Sequence, residues 1–326
     1  MLVNICMSGG RTSAYMTEMA LKYFSEFDFV ITFANTGLEH EKTLEFVNNC
    51  DKRWQKLYGA KVIWLEAMVH HSCNLPSSAN VVSFETASRN GEPMMEVVKK
   101  YGLPNSQFLH CTRELKENPI LDYMKTYHGQ IVGHTKNKQF VSASYKTWIG
   151  IREDEPKRLN GRRDGKQFKV FPLAEPVEKY GFDISCDKQD VLDFWSKMPF
   201  DLELPEHLGN CVDCHKKSDK KLKLVYQDLG EKAFLNSAYL DNQYSKVKAQ
   251  ELDGKIIERK RFRGYRNTKE LIASFELGEE IKNEVNGCET SCEPFMDSNE
   301  PEQIDFINNP KTWSELDAMN EDEQIM

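Results

Sequence analysis

Leu2-Val3-Asn4-Ile5-Cys6-Met7-Ser8-Gly9-Gly10-Arg11-Thr12-Ser13 runs an apolar strand straight into two glycines and the opening of a helix. Glycines let the backbone come close to phosphate oxygens, and the unpaired N–H groups of a helix start point at them, so the turn is either an anion site or an ordinary strand-to-helix turn, which the two glycines taken alone would favour. Working outward, the spacing predicts a helix over 12–24, a strand over 29–35, a helix over 41–58 and a strand over 61–67. Short apolar blocks alternating with amphipathic blocks of about a dozen residues are the βαβ pattern of a parallel sheet. The expected class is α/β, a parallel twisted sheet with helices on both faces and a small, mostly helical C-terminal subdomain. The turn carries no Gly-Lys-Ser/Thr ending and no GxGxxG, so it is neither a Walker A loop nor a dinucleotide fingerprint.

From His70 to about Gln107 the pattern loosens around Pro76, Asn90-Gly91, Pro93 and Pro104, with one short helix over 92–102. Such an insertion is either a lid or an ordinary surface excursion. Helical periodicity resumes at residues 112–127, strands are expected over 130–134 and 142–151, and helices over 222–240 and 267–284. The expected units are a nucleotide-binding domain over 1–205, a Cys-x-x-Cys segment with a helical subdomain over 206–292, and an acidic tail over 293–326.

Hydrophobic residues make up 40% of the 326 and charged residues 29%, as in an ordinary globular protein. No apolar run approaches the roughly eighteen residues that would cross a bilayer, and the first strand starts too early for a signal peptide, so a cytoplasmic protein is expected, in the host cytoplasm if a phage encodes it. A net charge of -8 argues against a uniform nucleic-acid coat. The basic run over 255–266 is either a solvated face or a landing strip for a polyanion.

Three further segments carry a family resemblance. Asn35-Thr36-Gly37 ends the second strand, with Glu39, Glu41 and Thr43 following; Gly150-Ile151-Arg152-Glu153-Asp154-Glu155-Pro156-Lys157-Arg158 brackets a loop with two guanidiniums, which suit sulfate or phosphate; and residues 171–176, 191–205 and 209–222 continue the pattern. Together with Ser8-Gly9-Gly10-Arg11-Thr12-Ser13 they resemble the 3'-phosphoadenylylsulfate (PAPS) reductase-like family of the adenine nucleotide alpha-hydrolase-like, or PP-loop, superfamily, including members encoded by phages. The usual loop has Asp where Thr12 stands, and Lys is common where Arg11 stands. The resemblance implies an adenine nucleotide, PAPS, adenylylsulfate or ATP, bound at Ser8, Gly9, Gly10, Arg11, Thr12 and Ser13, with Asn35, Thr36 and Gly37 at the neighbouring strand edge and Arg152 and Arg158 as catalytic anion clamps. With ATP it implies Mg2+.

Cys211-Val212-Asp213-Cys214 is the sharpest metal signal, because a two-residue gap lets two thiolates converge on one metal. Iron-sulfur members of the superfamily pair such a motif with an upstream cysteine element, for which Cys111 is the candidate. The alternatives are a 4Fe-4S cluster on Cys111, Cys211 and Cys214; zinc on the same cysteines with His110 or His215; and unliganded thiols. Lys216, Lys217, Lys220 and Lys221 would lower the thiol pKa, or simply form a solvated turn. Cys6, Cys50, Cys73 and Cys186 lack ligand spacing and are expected as small buried hydrophobes.

The resemblance implies thiol-dependent reduction of adenylylsulfate or PAPS to sulfite, with a thiol reductant as partner. The family's C-terminal Glu-Cys-Gly-Leu/Ile-His motif is missing. Cys288 in Gly287-Cys288-Glu289-Thr290-Ser291-Cys292 is the nearest nucleophile, or a tail cysteine without a role. Two rivals stand beside the reductase: an ATP-dependent iron-sulfur sulfurtransferase that adenylates and thiolates a nucleic-acid base, and a catalytically inactive nucleotide-binding interaction protein. No membrane partner is expected.

Overall fold

The computed structural model describes residues 1–72, 74–129, 133–134, 140–141, 145–159, 169–175, 183–252, 254–277 and 294–295. Its centre is a six-stranded sheet. In chain order the elements are β1 (Leu2–Met7), α1 (Arg11–Tyr23), β2 (Asp28–Ala34), α2 (Glu41–Tyr58), β3 (Val62–Met68), β4 (Ser78–Val82) and α3 (Glu92–Tyr101). A π-helical turn (Arg113–Glu117) then leads into α4 (Asn118–His128), followed by β5 (Lys146–Ile149) and β6 (Lys169–Val170). Beyond these come α5 (Lys188–Ser196), α6 (Asp219–Leu229), α7 (Leu235–Tyr244), the hairpin β7 (Gln250–Leu252) and β8 (Lys255–Ile257), and α8 (Thr268–Glu276).

The strand order is β4-β3-β2-β1-β5-β6, all parallel except β4, which runs against β3. Ile5 lies opposite Ile31 on one side and Trp148 on the other, so β1 is central. Side chains of neighbouring residues alternate between faces. Ile5, Ile31 and Trp148 join the core under α1 and α2, while Cys6, Val30 and Ile149 join the core under α4. A strand buried on both faces reads as a continuous apolar run, which is why residues 2–7 and 29–34 stand out in the sequence.

The first core does not stop at residue 205. Leu208, Leu222, Val225, Phe234, Phe262, Leu271 and Phe275 belong to the same apolar cluster as Val3, Met16 and Trp54. The helix starts are well made: Ser218 caps α6, and Asn267 with Glu270 forms a capping box on α8. Between α1 and α2, the buried Glu18 carboxylate accepts hydrogen bonds from Arg53, Trp54 and Tyr58. Burial alone would raise its pKa, but those bonds outweigh it and hold the carboxyl below its ordinary value.

Three expectations need correction. The loose stretch after His70 contains β4, an edge strand joined to β3 over Trp64↔Val82 to Met68↔Ser78. Of the strand expected over 142–151, Lys146–Ile149 form β5 and Gly150 and Ile151 lie beyond its end, while 142–144 lie outside the described residues. The basic run over 255–266 is neither a solvated face nor a landing strip along its second half. Arg261 is only 1% exposed, and Arg259, Arg263 and Arg266 bond inward to Tyr101, Lys217 and Asp219.

Candidate functional site

Sheet order places the site before any side chain does. From β1 the chain moves outward on one side through β2 and β3, then returns to the other side with β5. The carboxyl ends of β1 and β5 therefore flank a topological switch point, where open α/β sheets leave a crevice. Residues 8–13 leave β1 at that point and residues 150–158 leave β5 there.

The loop is held open by specific contacts. Gly9 has φ +82°, and a Cβ there would stand 2.6 Å from Thr43 Cγ2 on α2, so the turn needs both the left-handed backbone and the missing side chain. Ser13 Oγ accepts from the Ser8 N–H at 3.1 Å and donates to the Gly10 carbonyl at 3.1 Å, which braces the loop from inside. Gly150 passes so near the first turn of α1 that a Cβ would lie 3.0 Å from Ser13 Cα. The N-terminus of α1 has no side-chain cap and no acid in its first turn, leaving its amides and the positive end of its dipole facing the crevice.

A cavity of about 320 Å3 opens there, lined by Ser8, Gly9, Gly10, Arg11 and Thr12 together with Thr43, Gly150, Arg152, Glu155 and Arg158. That is the lower end of small-ligand pockets. Its far wall comes from residues 202–210 with Lys188, Lys217 and Lys221. The cations are steered by acids. Arg11 forms a two-pronged pair with Asp201 at 2.6 and 2.8 Å, Arg152 donates to Asp154 and to Thr12 Oγ1, and Arg158 donates to Glu155. Thr12 is thus tied to the loop after β5.

Asn35, Thr36 and Gly37 do not line this cavity. Asn35 donates to Glu66 and to the Ser88 carbonyl, fixing the end of β2 to its neighbours. Thr36 Oγ1 sits 3.2 Å from Cys211 Sγ, and Cys211 bridges to Glu39, so the end of β2 carries the Cys-x-x-Cys turn. Cys111, Cys211 and Cys214 share one apolar cluster with Leu38, Val97 and Leu115. Among the described residues no three His, Cys, Asp or Glu side chains stand in ligating geometry.

The lysine-rich turn does not hold the Cys211 thiol low as expected. Burial, the largest influence, pushes the Cys211 thiol well above its ordinary pKa, with Glu39 adding to it against the opposing pull of Lys116. Lys217 is itself buried, 8% exposed, and donates to the carbonyls of His207 and Val212. Its pKa falls to about 8, chiefly through desolvation. His110 lies buried with Nε2 3.1 Å from the Gly102 carbonyl oxygen. Cys6, Cys50 and Cys186 are buried small hydrophobes. Cys73, Cys288 and Cys292 lie outside the described residues.

Over 229 residues the chain is 34% identical to the uncharacterized nin region protein ORF290 of Escherichia phage lambda, and the match covers 69% of each protein. The chain belongs to the ORF290 family. Two uncharacterized proteins of Methanocaldococcus jannaschii are more distant relatives of this ORF290-family chain. One is 26% identical over 125 residues, covering 38% of the chain and 23% of that protein. The other is 27% identical over 157 residues, covering 47% of the chain and 23% of that protein. No family model matches, and no solved structure matches. Among the described residues no helix of this ORF290-family protein is long and apolar enough to cross a membrane.

Sequence reasoning missed most of the far wall. Leu202, Leu204, Glu206 and Asn210 line the cavity although nothing in their types marks a ligand site. The only signal was that residues 191–205 and 209–222 continued the family resemblance.

Proposed function

We propose that the protein binds an adenine nucleotide with its phosphates against residues 8–13 and performs sulfur chemistry beside it, reducing adenylylsulfate or PAPS to sulfite. One observation carries the pairing of nucleotide and sulfur. Gly209, Asn210 and Lys217, which flank Cys211 and Cys214 in the chain, line the same cavity as residues 8–12.

In this reaction a thiolate attacks the sulfonate sulfur and the S–O bond to the nucleotide phosphate breaks. The leaving phosphate keeps the bonding pair, and a second thiol, from the reductant, then releases sulfite as a disulfide forms. The chain's part is to hold the leaving phosphate: the α1 amides, Arg152 and Arg158 surround the position where its charge develops. Cys288 is the proposed nucleophile.

The cysteine set favours a second reading, ATP-dependent thiolation of a nucleic-acid base with Mg2+. Cys111, Cys211 and Cys214 are the residues that would hold a 4Fe-4S group. Their fit is one of neighbourhood alone: the three thiols share one buried apolar cluster, while no three His, Cys, Asp or Glu side chains stand in ligating geometry among the described residues. When bound, the group would supply a sulfur-carrying or electron-carrying centre next to the nucleotide site. Zinc on the same thiols is the structural alternative.

Anaerobic incubation separates these readings. With PAPS or adenylylsulfate and a dithiol the first predicts sulfite, whereas pyrophosphate release from ATP and Mg2+ favours thiolation. Saturable nucleotide binding with neither product would identify an inactive nucleotide-binding interaction protein. Arg152→Lys and Arg158→Lys should each weaken nucleotide binding roughly ten- to a hundredfold, because a charged, forked hydrogen bond is worth about 1.5–3 kcal/mol and lysine keeps only the charge. Unchanged calorimetric affinity in both variants would reduce these arginines to surface ion pairs.

A further inference from the structure

The cavity at the switch point has two unlike sides. On one, residues 8–12 with Arg152 and Arg158 offer amides, hydroxyls and guanidiniums, whereas on the far wall Val191 and Leu192 of α5, with Leu202, Leu204 and Pro205, offer apolar surface. Leu192 is 38% exposed, so part of that surface is left open. The lysines of the far wall are occupied: Lys188 and Lys221 both pair with Glu206, and Lys217 donates to the His207 and Val212 carbonyls. Phosphate suits the first side. A flat, largely apolar ring suits the second, where one well-placed polar group would fix its orientation.

Asn210 is that group. It lines the cavity, and among the described residues its side-chain amide hydrogen-bonds to nothing. Its backbone, by contrast, is held from both sides. Just beyond it Cys211 bridges to Glu39 and the Val212 N–H donates to the Leu38 carbonyl at 2.9 Å, and just before it the Gly209 N–H donates to the Glu206 carbonyl at 3.1 Å. Asn210 has φ +55°, left-handed backbone that asparagine tolerates better than most side chains and glycine tolerates best. Glycine would therefore serve the turn, and the turn does not account for the amide. An asparagine amide holds an acceptor and donors in one plane, and adenine offers the complement, 6-amino hydrogens beside a ring nitrogen that accepts.

We propose that the far wall is the base subsite and that Asn210 is its specificity-determining residue, with Oδ1 accepting from the 6-amino group of adenine and Nδ2 donating to the neighbouring ring nitrogen, while the ring lies on the apolar side chains. The inference rests on the nucleotide reading above and goes beyond it, because it assigns the base to this wall and not to the strand edge of Asn35, Thr36 and Gly37, which does not line the cavity.

The test is calorimetry on the full-length protein with ATP and adenosine 3',5'-bisphosphate, each compared with its counterpart lacking the 6-amino group. A site built to bond the amine rejects the analogue without it, so wild type should bind the amino form at least about tenfold more tightly for whichever nucleotide it binds. Asn210→Gly keeps the left-handed backbone and should bind the two forms equally, with an unchanged melting temperature. Equal affinities in wild type, or the wild-type preference in folded Asn210→Gly, would overturn the inference while leaving nucleotide binding intact. If Asn210→Gly does not fold, Asn210→Asp decides, because its carboxylate has no hydrogen to give the ring nitrogen. The nucleotide should then weaken at least about tenfold more than its base-free counterpart, inorganic tripolyphosphate for ATP or ribose 5-phosphate for the bisphosphate. Equal losses would overturn the inference. Wild-type protein that binds neither nucleotide removes the nucleotide reading, and the inference with it.

Discussion

Gly10→Val is expected to abolish nucleotide binding, more than a hundredfold, with little loss of fold. Gly10 precedes α1 with φ -92° and ψ 160°, extended backbone that any residue adopts. A Cβ there would meet only Ser8 Oγ, at 3.7 Å, so the added branch would enter the cavity and not the core. The stability loss should stay near 1 kcal/mol, the difference between a tolerated and a poor residue at a helix cap. Gly9→Ala is the contrasting control. Its Cβ would collide with Thr43 Cγ2 at a backbone φ of +82°, so that variant should lose stability before it loses affinity. Calorimetry with ATP, adenylylsulfate and PAPS, paired with thermal melts, reads both effects. Wild-type affinity in a folded Gly10→Val protein would remove the phosphate site from residues 8–13.

The second large effect concerns iron. If Cys111, Cys211 and Cys214 hold the 4Fe-4S group of the second reading, protein purified without oxygen should be brown, absorb broadly near roughly 400 nm and contain iron with sulfide. Cys111→Ser, Cys211→Ser and Cys214→Ser should each lose most of it, whereas Cys288→Ser and Cys292→Ser should keep it. Cys211 is a poor thiolate by itself because desolvation raises its pKa, so a metal must displace the proton before the sulfur becomes a ligand. Metal uptake should therefore stabilise the fold, and a chelator should lower the melting temperature of wild type but not of the three serine variants. Colourless protein holding one zinc would establish the structural alternative, and metal-free protein with full activity would exclude both.

The sheet was legible because its central strands are buried on both faces. Residues 2–7 and 29–34 are nearly unbroken apolar runs, and the helix over Glu41–Tyr58 matches its expected limits because it carries a regular amphipathic pattern and ends at Gly59. Strand β4 was not legible. Ser78-Ala79-Asn80-Val81-Val82 lies partly exposed at the edge, so it carries no apolar run, and the serines and proline before it read as loop. The turn after β1 was legible from its two glycines, but those alone fit an ordinary strand-to-helix turn, and only the other segments of the resemblance pointed to an anion there. The role of Asn35 and Thr36 was not legible, because they sit at the correct sheet edge but turn toward Glu66 and Cys211, partners distant in sequence. Arg261 illustrates the same limit. A run of arginines and lysines reads as solvated unless the sequence also reveals that Asp213 and Asp219 wait inside the fold.

The central claim is that an adenine nucleotide sits at the switch point between β1 and β5. Hydrogen exchange measured by mass spectrometry, with and without saturating PAPS, adenylylsulfate or ATP, tests it most directly, because the amides at the start of α1 lack intrahelical partners until a phosphate accepts from them. The expected result, with at least one of these nucleotides, is protection concentrated in residues 8–13 and 150–158. Protection confined to other segments, or none with any of the three at saturation, would contradict it.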